Sequence, residues 1–276
     1  MFTTHSKVLV LTLALILLAS PVLAGNLDRF AGMEGSLDIA GGTAHIPVMN
    51  EAAKRIMTAN PKVRITVAGG GTGIGVQKAG EGLVAIGNTG RALSDEEVSK
   101  YGLRSFAFAI DGVAPIVHPA NQIADLSAQQ IRDIFAGRIT RWNEVGGNDA
   151  AIHVYGREEA SGTHEVFWGK LLKKEPVVGT ANIIQSNGAM KVAVSQDRNA
   201  IGYMSIGHID DNVKPLAVDG IVPSQETAID GSYPVIRHLY MNTKGEPEGL
   251  TRAFIDYVLS EDGAEIIRAS GYIPMR

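Results

Sequence analysis

Ser36-Leu37-Asp38-Ile39-Ala40-Gly41-Gly42-Thr43-Ala44, with the run Val48 to Thr58 behind it, decides the architecture. Residues 36–40 read as a short strand and Gly41-Gly42 as a turn. Val48, Ala52 and Ile56 put apolar side chains on roughly one face of a helix. The unit recurs at once: Val63 to Val67 is a β-branched strand, Gly69 to Gly73 a glycine turn, and Ile74 to Ala79 starts a second helix. Strands alternating with helices imply an α/β fold built on a largely parallel sheet.

Further along, Ser127 with Gln130 forms a capping box. Ile131, Ile134 and Phe135 follow at helical spacing, and Gly137 stands just past the end. Leu250, Phe254, Tyr257 and Val258 mark another helical face, with Gly263 expected to interrupt it before Ala264 to Ala269 resume. Two β-rich segments, Phe106 to Val117 and Tyr233 to Met241, have the character of crossovers between lobes. The expected division is one lobe from residues 25–112 and 231–276 and a second from 113–230, with a cleft between them and the two crossovers as hinge.

Lys7, the apolar run Val8 to Leu18, the Ser20-Pro21 break and Val22-Leu23-Ala24 read as a cleaved signal peptide over residues 1–24. The apolar run is about a dozen residues, short of the roughly 20 that span a membrane. With no cysteine in the chain, disulfides, metal thiolates and a lipid-modified N-terminal cysteine are excluded, so a periplasmic, unanchored protein is expected. The remaining length of about 250 residues suggests two domains or one large one. A formal charge of -4 without basic clusters argues against nucleic acid and anionic membranes as partners. A monomer is the default expectation.

Three segments share one chemistry: Gly41-Gly42-Thr43-Ala44, Gly69-Gly70-Gly71-Thr72-Gly73 and Ala160-Ser161-Gly162-Thr163. Each is a glycine and hydroxyl turn opening a helix, where free N–H groups and the positive end of the helix dipole receive an oxyanion. Taken alone, each reads first as a turn with an N-cap. The third is sharper because Arg157 stands four residues before Ser161. A guanidinium offers two parallel bonds to a tetrahedral anion, and Ser161, Thr163 and the N–H groups after Gly162 serve its other oxygens. The plain alternative for Arg157 is a surface pair with Glu158 or Glu159.

At this point the sequence resembles the substrate-binding proteins of phosphate ABC transporters, which have the type II periplasmic binding protein fold. The likeness runs from about Leu37 to Pro274. It includes Ile39 to Thr43, Gly71-Thr72-Gly73, Leu126-Ser127 through Gly137, Thr140-Arg141-Trp142, Arg157 to Thr163, Ser186 to Ala189 and Ala200 to Tyr203. The resemblance implies inorganic phosphate as ligand and an inner-membrane permease as partner. It also implies Thr43, the Ala44 amide and Thr72 as ligands from one lobe, with Arg157, Ser161, Gly162 and Thr163 from the other. Some members carry serine at the place of Thr72 and an aspartate, the acceptor for the proton of hydrogenphosphate, at the place of Gly90. Arg91 then either lines the cleft or makes a rim salt bridge. Sulfate and molybdate are the alternative ligands within the same fold.

A secreted phosphohydrolase or serine hydrolase is the rival from another class. Glu159-Ala160-Ser161-Gly162-Thr163 lacks the outer glycines of a nucleophile elbow, and Trp168 stands where a zinc-protease helix beginning at His164-Glu165 needs its second histidine. The histidines at 45, 118, 153, 164, 208 and 238 show no metal-ligand spacing. The glycines of 69–75 give neither a dinucleotide fingerprint nor a phosphate loop, so no cofactor is expected.

Overall fold

The computed structural model describes residues 26–275, so the signal-peptide reading of residues 1–24 lies outside them. β1 (Gly35–Gly41) leads through a 3-10 turn, Thr43–His45, into α1 (Ile46–Ala59), and β2 (Val63–Gly70) leads into α2 (Gly71–Gly80). β3 (Ile86–Thr89), α3 (Asp95–Tyr101) and β4 (Leu103–Val117) follow. The middle of the chain supplies β5 (Asp125–Leu126), α4 (Ala128–Phe135), β6 (His153–Arg157), α5 (Gly162–Lys170), β7 (Asn182–Ile184) and α6 (Asn187–Gln196). It continues with β8 (Ala200–Ser205), β9 (Lys214–Pro215), β10 (Ala217–Val218) and α7 (Gln225–Ile229). The C-terminal part is β11 (Ile236–Lys244), α8 (Gly249–Val258), α9 (Glu261–Ala269) and β12 (Ile273–Pro274). No helix among the described residues is long and apolar enough to cross a membrane.

The glycine run 69–73 is no separate turn: Gly69 and Gly70 end β2, and Gly71 begins α2. Gly70 and Gly71 have φ of 126° and 85°, conformations that glycine adopts without steric cost, so strand passes to helix with no loop. The capping box at Ser127 and Gln130 forms with both reciprocal bonds, and Gly137 ends that helix at φ 76°. The C-terminal break falls at Leu259-Ser260 rather than Gly263. Ser260 caps α9 by accepting from the Gly263 amide at 3.4 Å, and a Cβ on Gly263 would overlap the carbonyls that end α8.

Strand order is β2-β1-β3-β11-β4-β8-β6-β7. β1 is parallel to β2 and β3, and β6 is parallel to β7 and β8. β4 joins the two parts: Leu103 to Gly112 pair with β11, and Val113 to Val117 pair with β8. Beside it the returning chain crosses at Val235, whose carbonyl accepts from the Val113 amide at 2.8 Å. The two crossovers therefore lie side by side and antiparallel.

Two apolar cores flank this crossing. One gathers Leu37, Ile39, Val48, Ile56, Phe108, Leu239 and Phe254. The other gathers Val113, Ile131, Phe135, Phe167, Ile201 and Tyr203, together with Tyr233 and Val235, which lie beyond the boundary expected at residue 230.

Candidate functional site

Thr43, Ala44, Thr72, Arg157, Ser161, Gly162 and Thr163 all line one small pocket between the two cores, with Gly42, His45, Gly71, Gly90 and Arg237. Thr43 and Ala44 come from the turn after β1, Thr72 from the first turn of α2, and Ser161 to Thr163 from the start of α5. Ser161 is the N-cap of α5, accepting from the His164 amide at 3.3 Å, so the capping role and a place in the pocket coexist.

The hydroxyls are oriented as donors. Thr72 Oγ1 accepts from the Gly90 amide at 3.0 Å, and Thr43 Oγ1 accepts from Asn187 Nδ2 at 3.2 Å and the Asn187 amide at 3.4 Å. With Ser161 Oγ engaged likewise, each of these three oxygens keeps its own proton for a further partner. Among the described residues, no Asp or Glu side chain lines the pocket. The resulting wall of hydroxyls, helix-start amides and guanidinium groups suits an anion.

Arg157 is 3% exposed, and its guanidinium turns to backbone carbonyls instead of Glu158 or Glu159. Its Nε donates to Ile184 O at 2.8 Å and Nη2 to Gln185 O at 3.1 Å, which fixes the plane of the guanidinium. Behind it the Arg157 amide donates to Tyr203 Oη at 3.0 Å, and the Tyr203 ring stacks on Phe167 with centroids 4.1 Å apart. Burial, with the charge of Arg237 adding to it, pulls the Arg157 guanidinium down to about 10, so it stays charged at neutral pH.

Sequence reasoning missed Arg237, which lines the pocket, and Asn187, which bonds the Thr43 hydroxyl, and Arg157 is therefore not the pocket's single cation. Gly90 has a stereochemical reason to lack a side chain: a Cβ there would stand 2.7 Å from Arg237 Nη1. Arg91 takes the rim position, bonding Glu97 through Nη1 and Nη2 at 2.7 and 2.8 Å and Glu165 through Nε at 2.6 Å. Arg91 and Glu165 stand on opposite sides of the cleft, but the pair is solvated, and exposed pairs contribute about 0–1 kcal/mol. Glu165→Gln should therefore weaken ligand affinity by no more than about fivefold, measured by titration at low and high salt. A tenfold loss would mean that the rim pair governs closure.

Further bonds cross the cleft directly. The Gly73 amide donates to Ala160 O at 3.1 Å, and His208 Nε2 lies 3.2 Å from Thr43 O, an acceptor, which makes that nitrogen the protonated one. The lobes are thus closed on each other.

His45 and His208 are held neutral, mainly by burial, with values near 3 and 4. An unfolded chain takes up these protons below about 6.5 while the folded chain refuses them, so stability falls as pH drops from about 6.5 toward 4. The expected loss is on the order of 2–4 kcal/mol per histidine. Urea midpoints at pH 7 and 4.5 measure it. His208→Gln, which keeps a donor for Thr43 O, should flatten the slope, and an unchanged slope would count against this assignment.

Two α/β lobes closed over a pocket lined by hydroxyls, helix-start amides and guanidinium groups define a binding protein of the periplasmic type. A model of the PBP superfamily domain matches residues 31–262, and the chain belongs to that superfamily. Within it, the chain belongs to the PstS family of phosphate-binding proteins. It is 35% identical to the phosphate-binding protein PstS of Bacillus subtilis, over 91% of this chain and 85% of that one. A Clostridium perfringens structure with bound phosphate superposes with a TM-score of 0.83 at 37% identity, covering 88% of this chain and 100% of the other. An ABC-type phosphate transport receptor of Vibrio cholerae gives 0.69 at 31% identity, over 87% and 100%.

Proposed function

We propose that the chain captures inorganic phosphate in the periplasm and passes it to the permease of an ABC transporter, acting as a monomer. In this reading Thr43, the Ala44 amide and Thr72 hold the anion from the first lobe, and Arg157, Ser161, Gly162 and Thr163 hold it from the second. The observation that carries it is the convergence of three helix starts and buried Arg157 on one pocket without a carboxylate among its described lining residues. Family membership supports phosphate over other tetrahedral anions.

The first lobe would comprise residues 25–112 and the C-terminal stretch, and the second the middle of the chain. The return crossing would lie between Val235 and Leu239, which pack in different cores. Closure is favoured because the ligand touches both lobes only when they meet. Binding rather than catalysis also fits the histidine nearest Ser161 in the chain. His164 Nδ1 faces Tyr203 Oη at 3.0 Å, and Ser161 Oγ is engaged by the His164 amide instead of its ring.

Small-angle scattering of the ligand-stripped protein tests this reading. Phosphate should reduce the radius of gyration and sharpen the distance distribution. Scattering that phosphate leaves unchanged would contradict capture by closure.

A further inference from the structure

Resting on the phosphate reading above, we propose that Arg237 is a second anion ligand, supplied by the hinge itself, so that one side chain both contacts phosphate and ties the two crossovers together. Arg237 is the second residue of β11 and is the register partner of Asp111 on β4. Its Nε and Nη2 donate to Asp111 Oδ2 at 2.9 and 2.7 Å, with 3% of the arginine side chain and none of the aspartate exposed. Nη1 is left over: it takes no part in that pairing, in which both other nitrogens share Asp111 Oδ2, and it lies against Gly90 at the pocket wall. The Gly90 amide in turn donates to the Thr72 hydroxyl. Facing the pocket with no protein acceptor among the described residues, Nη1 has a free N–H donor, and an anion in the pocket supplies the acceptor.

The same ion pair reaches the pocket from behind. Ser205 Oγ donates to Asp111 Oδ1 at 2.8 Å, and the Ser205 amide donates to Asn187 Oδ1 at 3.2 Å. Asn187 holds the Thr43 hydroxyl. Tyr272 Oη, 3.2 Å from Ser205 Oγ, donates to Ala44 O at 2.7 Å. Arg237, Asp111, Ser205 and Asn187 therefore form one buried polar chain that runs from β11 and β4 to residues on both walls of the pocket. An anion drawing on Nη1 locks the arginine that joins β4 to β11 where the chain passes from one core to the other. The anion contact and the closed hinge are then held by the same group.

Calorimetric titration of the mature protein with inorganic phosphate tests the assignment. Arg237→Gln should weaken binding about thirtyfold or more, and Arg237→Lys should recover part of the loss. Because Arg237→Gln leaves Asp111 buried without its partner, the double variant Asp111→Asn with Arg237→Gln serves as a second check, since it keeps a neutral hydrogen bond at the crossing. It should melt cooperatively and still lose at least tenfold in phosphate affinity. Nitrogen-15 spectra of arginine side chains supply a readout that a scaffolding role would not move. Phosphate should shift two buried guanidinium signals in the wild-type protein and one in the double variant. A folded double variant that loses less than tenfold, or a single shifted signal in the wild type, would overturn the assignment. A wild-type protein that does not bind phosphate at all would instead contradict the proposed function, before any variant is compared.

Discussion

Arg157→Ala should reduce phosphate affinity by at least about thirtyfold, equivalent to about 2 kcal/mol. Ile184 O and Gln185 O hold the guanidinium rigid, so it forms charge-assisted bonds without first losing much rotamer freedom. Removing it leaves the anion desolvated beside hydroxyls and amides that neutralise only part of its charge. The second guanidinium in the pocket limits the loss and keeps binding measurable. Arg157→Lys should not restore it, since an ammonium cannot reproduce the planar geometry set by those two carbonyls. Titration of both variants reads the effect, and an Arg157→Ala protein with wild-type affinity would remove this residue from the site.

Gly162→Ala should have an effect of similar size for a different reason. A Cβ at 162 would overlap the Thr72 hydroxyl across the cleft and stand 3.2 Å from the Gly90 Cα. Both neighbours belong to the opposite wall, so the collision exists only when the lobes meet. Overpacking of this kind costs typically 1–3 kcal/mol, and here it falls on the closed state alone. Affinity should drop about tenfold or more, phosphate-driven compaction should shrink, and the melting temperature of the ligand-free protein should stay within a few degrees of wild type. A variant destabilised equally with and without phosphate would show that Gly162 matters for folding and not for closure.

The division between what the sequence displays and what it hides follows from the range of the interactions. The strand, glycine turn and helix around Gly41 and Gly70, and the capping box at Ser127, are local, and each rests on residues within about four positions of one another. Arg157 to Thr163 is legible for the same reason, because one strand end and one helix start carry the cation and the hydroxyls together. Arg237 is not legible this way: its partner Asp111 lies 126 positions away, and neither has a motif around it. A faint signal exists in hindsight. Asp111 is the one acidic or basic residue in the apolar stretch 106–117, and Arg237 is the one such residue, histidine aside, in 233–241. Opposite charges set singly in two segments that read as adjacent crossovers are expected to pair. Asn187 is visible in the sequence only as part of a resemblance, since its amide and side chain act on Thr43 across the cleft. The rim role of Arg91 likewise depends on where Glu165 arrives when the lobes close.

Titration of the ligand-stripped protein with phosphate and then sulfate decides whether the pocket is a phosphate site. Five heavy atoms at about 1.5 kcal/mol each give a reference near 7.5 kcal/mol for so small a ligand, a dissociation constant of roughly several micromolar, and preorganised charge-assisted contacts favour tighter binding than this rule of thumb. One phosphate per chain should bind at that affinity or tighter, with sulfate weaker. Absence of phosphate binding, or tighter binding of sulfate, would contradict the phosphate reading.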